Sequence, residues 1–299
     1  MTHNHTWQHA GFVELWSPLF FLFLILISSL YLAITGPWRG YFHIVESVTS
    51  KQKILFCVGI LWFYIALGSP LDYYGHHYIF SAHMLQQAIC YFVLPPFILR
   101  GIPDYVYRKA FEYRWVRRIV ITHPIFATVF FNGIFSFYHY PIVFNSIMEN
   151  MLLMMLSHAI LFVSAFQMWW HIAAPSGEFT RVLGLRKIGY IFLSGMLLTP
   201  ACGLIIFAGS PVYMVYANAP QILFPALDDQ QLGGTVMKII QEICYGVALT
   251  FGFFEWYRKE NPIDTHNPQV DGEWNETLTH SLNDPLIFEP TVVGPQNRL

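Results

Sequence analysis

FSAHMLQQAICYFVLPPFILRG, residues 80–101, is an almost uninterrupted apolar run, yet it carries His83, Met84, Gln86 and Gln87 near one end. Its length suits an α-helix crossing a hydrocarbon core of roughly 30 Å, which takes about 20 predominantly apolar residues. An imidazole, a thioether and two carboxamides in such a helix need a reason. Polar groups inside a bilayer are costly and, where they occur, face the protein interior. The stretch therefore raises the question of a buried site together with the question of the fold.

The whole chain has the same character. Of its 299 residues, 55% are hydrophobic, 18% aromatic and 11% charged, and its mean hydropathy is +0.44. These values belong to multispanning membrane proteins rather than soluble domains. A formal net charge of -2, with no basic stripe interleaved with aromatics, excludes nucleic acid as a partner. Cys57, Cys90, Cys202 and Cys244 each sit inside an apolar run without C-x-x-C or zinc spacing, so they read as buried free thiols. The N-terminus, MTHNHTWQHAGFVELW, lacks the basic region of a secretory signal, and the apolar run behind it is expected to be retained.

Seven apolar runs are long enough to span: 12–35, 53–70, 78–99, 119–139, 148–171, 187–209 and 232–257. The expected fold is an all-α membrane protein, a bundle of seven transmembrane helices over 12–257. It is flanked by an extracellular His-containing segment, 1–11, and an acidic, Asn/Pro-rich cytoplasmic tail, 258–299, without helical patterning. Lys and Arg alternate between connections: Arg39, Lys51 and Lys53; Arg100, Arg108, Lys109, Arg114, Arg117 and Arg118; Arg181, Arg186 and Lys187; then Arg258, Lys259 and Arg298. The N-terminus and the other three loops hold none. The positive-inside rule then places the N-terminus outside and the C-terminus in the cytoplasm, and the alternation independently supports an odd number of spans. The basic 100–118 loop is expected to contact anionic membrane lipid.

Depth follows from the 1.5 Å rise per residue. Measured from the outer end of each span, His83 and Met237 lie about 8 Å deep, Cys202 about 10 Å, Gln87 about 13 Å, and His158 and Glu242 about 15 Å. His139 sits at the outer mouth in FYHYP, and Asp72, His76, His77, Asp228 and Asp229 fall in outer loops or span ends. His83 and Gln87, four apart, share a helix face. Imidazole with thioether or thiolate suits copper, Cu(I) above all, better than magnesium or calcium. Simpler readings stand beside this one. His83 can act as interhelical glue through Gln87, and Lys238 and Glu242, four apart, can neutralise each other. His158 can be a satisfied core histidine, and Met148, Met151, Met154 and Met155 can be packing. His3, His5 and His9 offer a metal-capturing tract to the outside. His123 and His171 lie at the opposite ends of their spans, too far from His83 to share an ion.

In order along the chain, SPLDYYGHHYIFSAHMLQQ, LPPFILRGIP, the HP at His123, FYHYP at His139, LSHAILFVSAFQMWW at His158 and DQQLGGTVMK at 229–238 resemble the CtaG family of cytochrome caa(3) oxidase assembly factors of Gram-positive bacteria. The resemblance covers about residues 12–257. It implies a non-enzymatic, multi-pass plasma-membrane protein whose partner is the large subunit of a caa(3)-type cytochrome c oxidase, and which delivers or inserts copper at the haem-copper centre. Carried over, the family's HM falls on His83 and Met84, its later histidines on His123, His139 and His158, and its DQ...GG..M on Asp229, Gln230, Gly233, Gly234 and Met237. Where the family pattern has a second histidine four after the first, this chain has Gln87, a poor Cu(I) ligand, so further ligands must come from other spans. The expected metal set is His83, Met84, His139, His158 and Met237, with Cys202, Asp229, Glu242 and His123 as additional candidates. A copper transporter using an inward His path and a metal-free scaffold are the alternatives. Haem ligation by paired histidines and a homo-oligomer stay open. No nucleophile-base pair or redox-cofactor fingerprint argues for an enzyme.

Overall fold

The computed structural model describes residues 10–41, 46–174 and 182–261; His3, His5, His9, Arg181 and the tail from 262 onward lie outside them. All regular structure among the described residues is helical. The first apolar run forms α1 (Phe12–Trp16) and α2 (Pro18–Thr35), and the second forms α3 (Ser50–Leu67) and α4 (Pro70–His77). The third is α5 (Phe80–Ala88), a π-helical turn (Ile89–Val93) and α6 (Leu94–Gly101). Short α7 (Asp104–Phe111) and α8 (Arg114–Val120) lead into α9 (Pro124–Tyr138), followed by α10 (Pro141–Met148) and α11 (Met151–Ala173). The chain closes with α12 (Leu185–Ile206), one-turn α13 (Met214–Ala217) and α14 (Ala226–Glu260).

Six helices or helix pairs are long and apolar enough to cross a membrane, and seven if α8 and α9 count together across their 70° bend. The fourth run was expected to be one helix over 119–139. Its break follows from Pro124, which takes the first helical position of α9 and holds His123 extended at φ -69°, ψ 134°. The second run extends past its expected end at residue 70. Ser69 caps the new turn by accepting from the Leu71 N–H at 3.2 Å, so Pro70 opens α4 rather than ending the span, and the helix reaches His77.

The third span is the centre of the bundle, 67% buried against 11% for the first. Its irregularity has a local cause. Pro95 and Pro96 carry no N–H to satisfy the carbonyls one turn back. The ladder widens so that the Leu94 N–H donates to Ile89 O, and the Trp169 indole N–H of α11 donates to the Tyr91 carbonyl at 2.9 Å. Side chains on the outer faces, such as Leu22, Phe23, Met151 and Met155, are exposed as lipid-facing residues would be. The methionine stripe of α11 therefore lies largely on the outside of the bundle.

Two glycines let α14 wedge between its neighbours. A Cβ at Gly233 would stand 2.7 Å from the Phe80 ring and 3.0 Å from Met84 Cγ on α5, and one at Gly234 would stand 2.9 Å from Ile205 and Ile206 on α12. The preceding side chains fix the approach. Gln230 Oε1 accepts from the Val212 N–H at 2.8 Å, and the Gln231 amide donates to Ala208 O at 3.1 Å.

Candidate functional site

The wedge sets the start of α5, and with it His83. Ile79 at the N-cap offers no side-chain acceptor. The Asp229 carboxylate supplies it from α14, accepting from the Phe80 N–H at 2.6 Å and the Ser81 N–H at 3.1 Å. One turn on, His83 is fully buried.

Around it stand two more imidazoles. The His76–His83, His76–His158 and His83–His158 ring centroids are each 5.9 Å apart, a triangle drawn from α4, α5 and α11. The Tyr138 hydroxyl, at the last residue of α9, lies 3.3 Å from His83 Nε2 and 3.0 Å from His158 Nε2. The Gln87 amide nitrogen lies 2.9 Å from the same His83 Nε2. An amide NH2 can only donate, so in this arrangement that nitrogen is the unprotonated one and the proton sits on Nδ1. His83 Nδ1 is buried without a partner. On His76 the roles are set from the other side. Its Nδ1–H faces the Asp72 carbonyl oxygen at 3.0 Å and carboxylate Oδ1 at 3.2 Å, leaving Nε2 with its lone pair. A carboxylate holding one ring nitrogen so that the other is free is the usual way a metal-binding imidazole is oriented. The Gln86 amide donates to the same Asp72 Oδ1 at 2.5 Å.

Aromatic rings cover the triangle. Phe80 stacks on Tyr213 at 4.5 Å, Phe144 lies 4.5 Å from Tyr213 and 5.5 Å from His83, and Tyr216 lies 6.2 Å from His83. The Tyr213 hydroxyl donates to His139 O at 2.8 Å and that of Tyr216 to Gly75 O at 2.6 Å. Both phenols lie between spans, and burial pushes them above their ordinary range, which keeps them neutral donors.

Of the residues expected from sequence, His83 and His158 come together. His139 is a neighbour: its ring is 4.9 Å from Tyr138 and 6.0 Å from Phe144, its Nδ1–H donates to Phe135 O at 2.9 Å, and its Nε2 is buried without a partner. Met84 and Met237 are fully buried, Met84 against Gly233 and Met237 one turn further along α14. Cys202 is buried on α12. Asp229 is engaged as the cap of α5. Glu242 pairs with Lys238 at 2.6 Å on an open face of α14 and so stays outside the cluster. His123 precedes α9, which puts it about 22 Å from Tyr138 along that helix. The reading from sequence missed His76, Asp72 and Tyr138. Their signal was the i, i+4 spacing of Asp72 and His76, which matters only once Pro70 opens a helix.

Three imidazoles on one ion, each with an M–N distance of about 2.0–2.1 Å, would place their centroids roughly 5.2–5.5 Å apart. The triangle is close to that size. As it stands, no three His, Cys, Asp or Glu side chains among the described residues converge on one metal position. Instead the Tyr138 hydroxyl, with a single proton to donate, sits between Nε2 of His158 at 3.0 Å and Nε2 of His83 at 3.3 Å. The groups are of the kind that ligate a soft ion, at a spacing somewhat wider than three ligands on one ion would have.

Apolar helices sufficient for six or seven crossings, closed around a buried imidazole cluster, define a multi-pass membrane protein with an internal polar site. The family is given by sequence comparison: the model described as cytochrome c oxidase caa3 assembly factor (Caa3_CtaG) matches residues 29–259. That is most of the chain, and the protein belongs to this family. No curated protein and no solved structure matches it.

Proposed function

We propose that this protein serves assembly of a caa3-type cytochrome c oxidase by holding copper as cargo for the large subunit. His76, His83 and His158 bind the ion through Nε2, in place of the Tyr138 hydroxyl and of the Gln87 amide that now faces His83 Nε2. His139, Met84 and Met237 flank the cluster as donors for hand-over. The protein lies in the plasma membrane of a Gram-positive bacterium with its N-terminus outside, which puts the cluster in the outer half, where the copper of the oxidase is expected. The observation that carries this reading is the triangle of imidazoles with centroids 5.9 Å apart, the Tyr138 hydroxyl lying between the Nε2 atoms of two of them. Neutral imidazoles in an apolar surround suit a soft, weakly hydrated ion such as Cu(I), and a hydroxyl that can swing aside allows release.

The deciding experiment is Cu(I) stoichiometry and affinity on detergent-purified protein, wild type beside His83→Ala and His158→Ala, with helicity confirmed. One tightly bound ion, lost in both variants, is the expected result. No binding, or binding indifferent to both residues, leaves a scaffold that aids the oxidase without handling metal. Deleting the protein should remove copper from the oxidase alone; loss from several copper enzymes would mark a transporter.

A further inference from the structure

A cavity of about 190 Å³ opens beside the imidazoles, between α3, α5 with its π turn, and α11. Its walls are mostly apolar, with Phe63, Tyr91 and Phe162 among them, and its polar end is formed by Gln86 and Gln87. All three helices belong to candidate membrane spans, so an occupant arrives from the hydrocarbon layer. A cavity near 150 Å³ is known to take benzene, so this one holds a single substituted ring.

The polar end specifies the chemistry of that ring. Gln86 and Gln87 are each 2% exposed, and neither Oε1 has a partner. The orientation of Gln86 is not arbitrary: its contact at 2.5 Å is a carboxylate, which only accepts, so the NH2 must face Asp72 and Oε1 must be the free atom. The Gln87 amide meets His83 Nε2 at 2.9 Å, a contact that either end of the amide can make according to the His83 tautomer. A buried acceptor without a donor, at the end of an apolar cavity, is left for a ligand to satisfy. The π turn that places Tyr91 on the wall adds weight, because such turns inside α-helices recur at functional sites.

We infer that this cavity binds the hydroxylated aromatic head of a lipid-phase molecule, of the hydroquinone class, with a ring hydroxyl donating to Gln86 Oε1. The cavity shares His158 with the imidazole cluster, but the acceptor it presents is that of Gln86, which no proposed metal ligand touches.

The test uses full-length protein in lipid nanodiscs, stripped of metal by a chelator. The probe is tetramethylhydroquinone, compared with its dimethyl ether, which keeps the ring and lacks both donors. The hydroquinone should bind at least tenfold more tightly than the ether. Ala159→Trp, changed at an exposed residue of α11 that lines the cavity, should abolish binding, and Gln86→Leu should remove most of the preference for the hydroquinone. Equal binding of the two probes, no binding of either, or binding untouched by both variants would overturn the inference. Cu(I) retention by wild-type protein would be unaffected by any of these results.

Discussion

Asp229 on α14 holds the first turn of α5 through the Phe80 N–H, at 2.6 Å, although 149 residues separate them in the chain. The cap is supplied from across the bundle because the local sequence, Ile79 before Phe80, contains no acceptor. The position of the helix that carries His83 is thereby tied to that of the last span.

Asp229→Ala should accordingly lower thermal stability in detergent by about 2 kcal/mol or more, since it strands two backbone donors in a buried site. Asp229→Asn keeps one acceptor and should lose about half as much. If Asp229 were instead a metal ligand, both changes would abolish Cu(I) binding at temperatures where the fold is intact; as a cap, Asn should retain it.

Gly233 and Gly246 lie on the same helix and should respond in opposite ways. A methyl at 233 meets the Phe80 ring at 2.7 Å, whereas one at 246 meets nothing within 4 Å. Gly233→Ala should cost about 1–3 kcal/mol through overpacking, and Gly246→Ala should be neutral or slightly stabilising. Melting temperatures of the two variants measured side by side check this.

Trp169→Phe removes the indole donor to the Tyr91 carbonyl, to which Pro95 offers no N–H, and should cost about 1–3 kcal/mol. Restoring a backbone N–H with Pro95→Ala should shrink that cost. A double-mutant cycle with no coupling would separate the indole from the π turn.

Topology can be read in intact cells on a cysteine-free background. Ser210→Cys, exposed in the connection between α12 and α14, should react with a membrane-impermeant maleimide, and Arg117→Cys only after lysis. The reverse pattern would turn the protein over and place the imidazole cluster at the inner face.

Most of the architecture was written in hydropathy, because lipid demands about 20 apolar residues per crossing whatever the tertiary packing. The exceptions have a shared cause. Pro70, Pro95 and Pro124 lie at the irregular points, and proline stops a helix, opens one or widens its ladder according to which partners lie near. Ser69, Trp169 and the extended His123 decided those outcomes here. His76 was lost to the same ambiguity, since a span ending at residue 70 leaves it in a loop. The DQQLGG stretch was visible as a motif, but its work of capping α5, tying down the connection after α12 and admitting α14 appears only when the spans are packed. His83 and His158 stood out as buried polar residues; that they face each other did not, because depth says nothing about direction around a helix axis.

Tyr138 separates the copper reading from a purely structural one. Its hydroxyl bridges the Nε2 atoms of His83 and His158, so in a scaffold it is glue between α9, α5 and α11, and its loss can only weaken the protein. Tyr138→Phe keeps the ring stacked near His83 and removes the bridge alone, and stability should fall by about 1 kcal/mol. In a copper holder the same hydroxyl must leave before the ion can take those lone pairs. An interaction worth about 0.5–1.5 kcal/mol is then a cost of binding, and its removal should raise Cu(I) affinity by roughly 2- to 12-fold. Lower stability together with tighter copper is an outcome that helix glue does not produce. Weaker copper binding would make the phenol itself a donor to the ion, and no change would move the ion away from the two nitrogens that Tyr138 joins.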